Sequence, residues 1–356
     1  MLFDSDSAAP TPTDADPQRF EGSQGEWDQA VRSFDDGTFC HLWAWGEVFQ
    51  EALGHTPHRW VTRDSGGGLR GLLPAVWMKS RLFGRSLISM PFLNYGGALG
   101  PESDREALAA AMVETGRAKG ADRVEFRDRT KPVDLAASRD KITVVLSLPD
   151  DPEVLWNDGL KGKVRSQVRR PRKAGMTAEI GSHLVDRFYE VFARNMRDLG
   201  TPVLRRQLFH AASSAFPDET LVAVVESEGT AVAGGMGFLF EGEFELTWAS
   251  SLREYNREAP NMLLYWSLME EVIRRGGTAF NFGRCTPGGG THRFKSQWGG
   301  VDEPLHWTQW PAVGSGEATE DDEGGALQRA VSLWQKLPLP VANRLGPVVS
   351  RGLPRF

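Results

Sequence analysis

A helix, a glycine and a strand occur twice in this chain in the same order, and that duplication limits the fold more than any single motif does. In the first half, REALAAAMVETGRAKG reads as a helix stopped at Gly120, and the strand RVEFRDR (123–129) follows. A glycine just past a helix supplies the left-handed residue that ends it. In the second half, NMLLYWSLMEEVIRRGG sets Met262, Tyr265, Met269 and Val272 on one helical face and stops at Gly276-Gly277, before the strand TAFNFGR. Hairpin-like strands precede each unit, at 58–80 and 220–251. The pattern predicts an α/β protein of two similar lobes, in place of one large sheet, with a linker near LSLPDDPEV (146–154).

The chain has 356 residues, 40% hydrophobic and 25% charged, enough to fill two cores. A net charge of -6 and the lack of a long apolar run argue against a membrane-spanning protein and against a globally basic nucleic-acid binder, so DNA is not an expected partner. Cys40 and Cys285 are too few for a disulfide framework or a zinc site, which fits a reducing cytoplasm, and no metal is expected. The N-terminus is acidic with no apolar stretch of a secretion signal. The expected divisions are a disordered tail at 1–24, lobes at 25–150 and 151–311, an acidic linker at 312–326 and a basic C-terminal segment at 327–356. That last segment, with Leu333, Trp334 and Leu337 among its cations, is expected to dock on the core or touch an anionic membrane face.

Several motif matches fail on context. Gly66, Gly68 and Gly71 have dinucleotide-binding spacing, but LLPAVWM follows instead of a helix, so a hairpin turn is the better reading. Cys285 and His292 flank a PGGG loop that fixes no geometry for a thiol nucleophile. His55 and His58 straddle a turn and share no helical face.

Two segments remain. KGKVRSQVRRPRKAG (161–175) carries seven cations and no acid. If helical up to Pro171, it lines up Lys161, Arg165 and Arg169 at i,i+4 spacing, a self-repelling ridge that an anion such as a phosphate would relieve. The other is NFGRCTPGGGTHRFKSQWGG (281–300), where a strand runs into cations and glycines.

These segments, with SRLFGRSLISMPFLNYGG (80–97), RDLGTPV (197–203) and NMLLYW, resemble the FemAB family, and more narrowly the FemAB-like proteins of exosortase and exopolysaccharide loci, whose domain is also described as BioF2-like acetyltransferase. The resemblance covers nearly the whole core. It implies two tandem GNAT-like acyltransferase domains with a substrate groove at their junction. It also implies transfer of an acyl or aminoacyl group, from acyl-CoA or aminoacyl-tRNA as co-substrate, to an envelope precursor or exopolysaccharide intermediate. No tightly bound cofactor is implied, and the place of action would be the cytoplasm, with peripheral contact at the inner face of the membrane.

By the same resemblance Lys295 is the cation near the acyl carbonyl or a substrate phosphate, and Arg284 supplies a second donor. Phe294 and Trp298 anchor that segment, while Asn94 and Tyr95 offer hydrogen bonds for substrate orientation. Two positions depart from the pattern: Asn281 stands where these relatives often carry Asp, and Cys285 where they often carry Ser. No general base is evident. Three readings follow: an acyl- or aminoacyltransferase of envelope precursors, an acyl-CoA-dependent N- or O-acyltransferase of polysaccharide, and a non-catalytic GNAT-like module that scaffolds envelope assembly.

Overall fold

The computed structural model describes residues 16–130, 137–310 and 320–353. The first half supplies β1 (Gln18–Arg19), β2 (Thr56–Arg63), β3 (Leu69–Ser80), β4 (Gly84–Ile88), β5 (Arg123–Asp128) and β6 (Ala137–Ser147). The second supplies β7 (Thr177–Ile180), β8 (Thr220–Ser227), β9 (Thr230–Phe240), β10 (Glu243–Ser251), β11 (Ala279–Cys285) and β12 (Val301–Trp310). The helices are α1 (Gln24–Ser33), α2 (Ala44–Leu53), α3 (Glu102–Ala118), the single turn α4 (Pro152–Val154), α5 (Gly162–Lys173), α6 (Val185–Leu199), α7 (Arg206–Ala215), α8 (Pro260–Arg274), α9 (Gly290–Ser296), α10 (Glu320–Gln335) and α11 (Leu339–Ser350).

The strands lie in the order β1-β2-β3-β4-β5-β12-β6-β11-β10-β9-β8-β7. Read inward from either edge, equivalent elements appear in turn. Helix α3 carries the chain from β4 to a parallel β5, and α8 carries it from β10 to a parallel β11. Gly120 (φ +65°) and Gly276 (φ +80°) end those helices in the left-handed region, as the sequence predicts. At the centre the halves exchange strands: β6 leaves the first half to pair with β11, and β12 returns from the second to pair with β5. One sheet therefore runs through both lobes, which corrects the expectation of two lobes in place of a large sheet. Alternation along a strand reports its two faces but not its partner, so the exchange could not be read from the sequence.

Alternation assigns the core. In β3, Leu72, Val76 and Met78 face α1 and α2, while Leu73, Ala75 and Trp77 face α3. The second half repeats this, with α6 and α7 on the first face and α5 and α8 on the other. On the first face the two lobes share one aromatic core. Trp45 of α2 stacks on Phe49 at 5.5 Å and meets the second lobe's Phe216 at 5.0 Å, Phe238 at 5.2 Å and Trp248 at 6.4 Å.

Order begins earlier than residue 25: β1 pairs with β2, Phe20 is buried, and the Ser23 side chain caps α1 by accepting from Glu26 N at 3.2 Å. Residues 1–15 of the expected tail lie outside the described residues. So does 312–319 of the expected acidic linker, and Glu320–Ala326 of that linker belong to α10. The C-terminal helices dock on the core: Arg197 donates to Leu337 O at 2.9 Å and Ser350 to Val203 O at 2.9 Å. GGGLRG contributes a hairpin turn between β2 and β3, held by Asp64 accepting from Gly66 and Gly68.

Because Trp45 packs against both lobes, Trp45→Ala is expected to cost about 3–5 kcal/mol of the whole molecule's stability. Denaturant unfolding followed by circular dichroism and by tryptophan emission should show one coincident transition at lower denaturant. Separate transitions for the two signals would contradict a shared core.

Candidate active site

The seam between β5 and β11 buries charge. In β5, Val124 and Phe126 point to α3, so Glu125 and Arg127 are turned to the opposite face, where both are buried. Arg127 Nε donates to Glu125 at 2.9 Å and Nη1 to Leu93 O at 3.0 Å. Trp307 of β12 meets both the Arg127 guanidinium (4.1 Å to the ring centre) and that of Arg284 (4.5 Å), and its Nε1 donates to Asn94 O at 3.1 Å. Arg129 closes the seam with paired bonds at 2.9 Å to Glu243 of β10, and it also donates to Glu303 of β12 at 2.9 and 3.1 Å.

Asn281 has a hydrogen-bonding account that an aspartate could not fulfil. Its Oδ1 accepts from the Thr143 hydroxyl and, at 2.9 Å, from Gly283 N. Its Nδ2 donates to Tyr95 Oη at 3.2 Å and to Glu243 Oε1 at 2.9 Å. A carboxylate in that place would set a like charge against Glu243. Gly283 sits at φ +71°, and a Cβ there would lie 2.8 Å from Leu246 O and 3.3 Å from Asn94 Nδ2. Asn94 itself donates to Glu245 Oε1 at 2.7 Å. Asn94 and Tyr95, expected to orient substrate, are buried here and tie the lobes together, and Tyr95 also forms part of a cavity wall.

That cavity, about 470 Å³, opens at the end of β5 between the lobes. Asp35, Asp36, Glu241, Glu243 and Glu303 line it, against Arg32 and Arg129. Arg32 is paired with Glu241 at 3.2 Å and Arg129 with Glu243 and Glu303, so carboxylates prevail. Sequence reading missed these acids. They come from three separate segments whose convergence follows from strand exchange, and no local spacing announces it.

The equivalent place in the other lobe, at the end of β11, holds a second cavity of about 390 Å³ with the opposite character. Lys141, Arg284, Cys285, Thr286, Gly289, Gly290 and Thr291 line it, and Lys141 Nζ donates to Thr286 Oγ1 at 2.7 Å. Beneath it Lys295, 4% exposed, donates to Gly283 O at 2.6 Å and Arg284 O at 3.0 Å. Burial pushes its ammonium down from 10.5 to about 8, and burial likewise lowers Arg284 to about 10. The structure brings Lys295 and Arg284 together around the end of β11. Phe294 meets Tyr265 edge-on at 5.0 Å and Trp298 is wholly inside the core, so both anchor the segment and Trp298 presents no surface to a substrate. Burial raises the Cys285 thiol, and His292 bonds Asp302 (2.8 Å) and Gly288 N (2.9 Å), so they form no nucleophilic pair.

The basic segment is helix α5, which continues through Pro171 to Lys173. Arg165 is withdrawn from the predicted ridge: its Nη1 donates to the carbonyls of Trp156 (3.0 Å), Asn157 (2.8 Å) and Leu160 (2.8 Å), closing the turn before the helix. Lys161 and Arg169 stay exposed, Arg169 over the Trp156 ring at 5.1 Å. Arg170 donates to Arg257 O at 3.2 Å, so this cationic helix flanks the segment leading into the N-terminus of α8. There β10 and β11 pair over only Glu243–Glu245 and Ala279–Asn281, and are not bonded to each other beyond.

Burial pushes the Glu245 carboxyl up from 4.5 to about 7, with the Glu243 charge adding to it. A carboxyl raised on folding binds more protons folded than unfolded between those values, so its contribution falls as pH rises from about 4.5 to about 7. Glu245→Gln keeps the Asn94 bond and loses the titration. Its stability relative to the parent is therefore expected to grow by about 3 kcal/mol across that window and level off above it. Denaturant midpoints at a series of pH values check this, and a pH-independent difference would contradict it.

Residues 161–296 match the family model of the acetyltransferase (GNAT) domain. No curated protein matches the sequence. Among solved structures, FemX superposes with a TM-score of 0.62 at 15% identity, covering 81% of this chain and 96% of FemX. The C-terminal domain of a putative lysylphosphatidylglycerol synthetase from Agrobacterium fabrum gives 0.53 at 17% identity, covering 80% and 90%. A tandem GNAT protein from the clavulanic acid biosynthesis pathway gives 0.52 at 13% identity, covering 83% and 97%. The repeated strand order, the matched segment and these likenesses agree: the chain has a FemAB-like tandem GNAT fold and is a transferase whose residues 161–296 match an acetyltransferase (GNAT) domain.

Proposed function

We propose that the protein transfers an acyl group from an acyl-CoA to an amine on a cell-envelope or exopolysaccharide precursor. The observation that carries the reading is the match of α5 through α9 to an acetyltransferase domain, over the part of the sheet where β10 and β11 separate. Cations of α5 stand beside the segment before α8, and helix N-terminal amides favour phosphate, so this end suits a coenzyme's pyrophosphate. A thioester donor agrees with the acetyltransferase match better than aminoacyl-tRNA does. The structural likeness to a lysylphosphatidylglycerol synthetase domain supports an envelope acceptor.

The acidic cavity suits a cationic group of the acceptor, because carboxylates hold an ammonium; it lies at the other end of the seam from Lys295, so it anchors the acceptor away from the nitrogen that reacts. The ammonium first loses one proton to solvent; the neutral nitrogen then bonds the acyl carbon as the carbon–sulfur bond breaks, and the nitrogen's second proton passes to the departing sulfur, so the coenzyme leaves as the thiol. Lys295 commits two of its three hydrogens to the carbonyls of Gly283 and Arg284. Neither carbonyl takes the third, and the proposal assigns it to a substrate oxygen that gains charge in the transition state once substrate reaches the end of β11. This cation fails as pH rises through about 8.

Calorimetry with acetyl-CoA is the first test, and absence of binding would remove the donor assignment. Lys161→Ala with Arg169→Ala should weaken binding roughly tenfold at low salt and flatten its salt dependence. Lys295→Met should lower turnover by about a hundredfold or more with little change in donor affinity, and should abolish an alkaline fall in rate near pH 8. Asp36→Asn should raise the KM for an amine acceptor while leaving donor binding intact; an unchanged KM would remove the acidic cavity from acceptor binding.

A further inference from the structure

Nine large apolar side chains are well exposed among the described residues, and five of them gather in one region. Leu82 (75% exposed) and Phe83 form the tip of the hairpin between β3 and β4. Val341, Leu345 and Val348 (69% exposed) recur at i, i+4 and i+7 along α11, on the side opposite its buried Ala342, Gly346 and Ser350. The two pieces touch. His55 Nε2 lies 2.8 Å from Arg351 O at the end of α11, and a side chain on Gly352 would collide with Ser80 and lie 3.4 Å from the Phe83 ring.

We propose that this surface seats the protein on an anionic lipid bilayer. Charge selects that occupant. Neither the hairpin segment 79–86 nor α11 contains an acid, and Asp122, the carboxylate that lies against the hairpin, is bonded to Arg85, whereas Lys79, Arg81, Arg344 and Arg351 stand exposed on these two pieces, in a chain of net charge -6. Apolar side chains that enter the acyl boundary, with cations at headgroup level, are the two components of interfacial binding. A second copy of the chain suits the surface poorly, because a two-fold contact would bring these arginines against one another. Among the described residues no helix is long and apolar enough to cross a membrane, so attachment by this surface would be peripheral. The inference is independent of the donor and acceptor assigned above.

Sedimentation of the full chain with vesicles tests it without any transferase assay. The protein should pellet with phosphatidylcholine vesicles containing roughly a third phosphatidylglycerol, remain in solution with phosphatidylcholine alone, and be released by salt. Leu345→Asp with Val348→Asp, and separately Arg81→Glu with Arg344→Glu, should each lower the bound fraction by about tenfold or more. All four positions are exposed, and circular dichroism verifies that the variants are folded. Equal recovery with and without anionic vesicles, or undiminished binding by both variants, would overturn the proposal. So would sedimentation equilibrium showing a dimer that the same substitutions dissolve, with no vesicle binding, since a second copy would then cover the surface.

Discussion

Arg129 joins three strands that the chain reaches at widely separated times. It leaves the end of β5, grips Glu243 at the start of β10 with two parallel bonds, and reaches Glu303 near the start of β12. These strands come together because each half surrenders its last strand to the other. With the seam closed, the sheet has no internal edge and the aromatic core on one face belongs to both lobes. Removing one member of such a partly buried group leaves its partners' charge uncompensated, so the bond network acts through what its loss would expose.

The same exchange places a cavity at each end of the seam and gives the two opposite electrostatic character. At the end of β5 the neighbouring start of β12 brings Glu303, and the hairpin before β10 brings Glu241 and Glu243. At the end of β11 the neighbouring start of β6 brings Lys141, and the strand itself brings Arg284. Equivalent backbone positions in the two lobes thus carry carboxylates in one case and cations in the other. A duplicated fold thus offers two places whose side chains are independent of each other, as the proposed two-substrate transfer requires.

Burial turned several residues chosen from the sequence to structural purposes. Arg165 lies on a helix whose charge run predicts an anion site, yet three carbonyls at the end of the preceding turn sit within its reach and satisfy it. Asn94 and Tyr95 offer hydrogen bonds in a glycine-rich loop, and that loop is folded under the seam, where Glu245, Asn281 and Trp307 take those bonds. Lys295 and Arg284 do meet, around the end of β11, and Lys161 and Arg169 remain on the surface.

By itself the sequence determined the repeated helix-glycine-strand unit, the hairpin-like strands before it, the cationic helix and the resemblance to tandem GNAT proteins. All of these rest on local periodicity or on residues adjacent in the chain, where steric and hydrophobic preferences act over a few positions. Only the tertiary structure decided that β6 and β12 change places, that five acids from distant segments line one cavity, and that the hairpin between β3 and β4 meets the end of the last helix. Those outcomes depend on which strand finds which partner, and strand pairing is set by contacts far apart in sequence that leave no local signature.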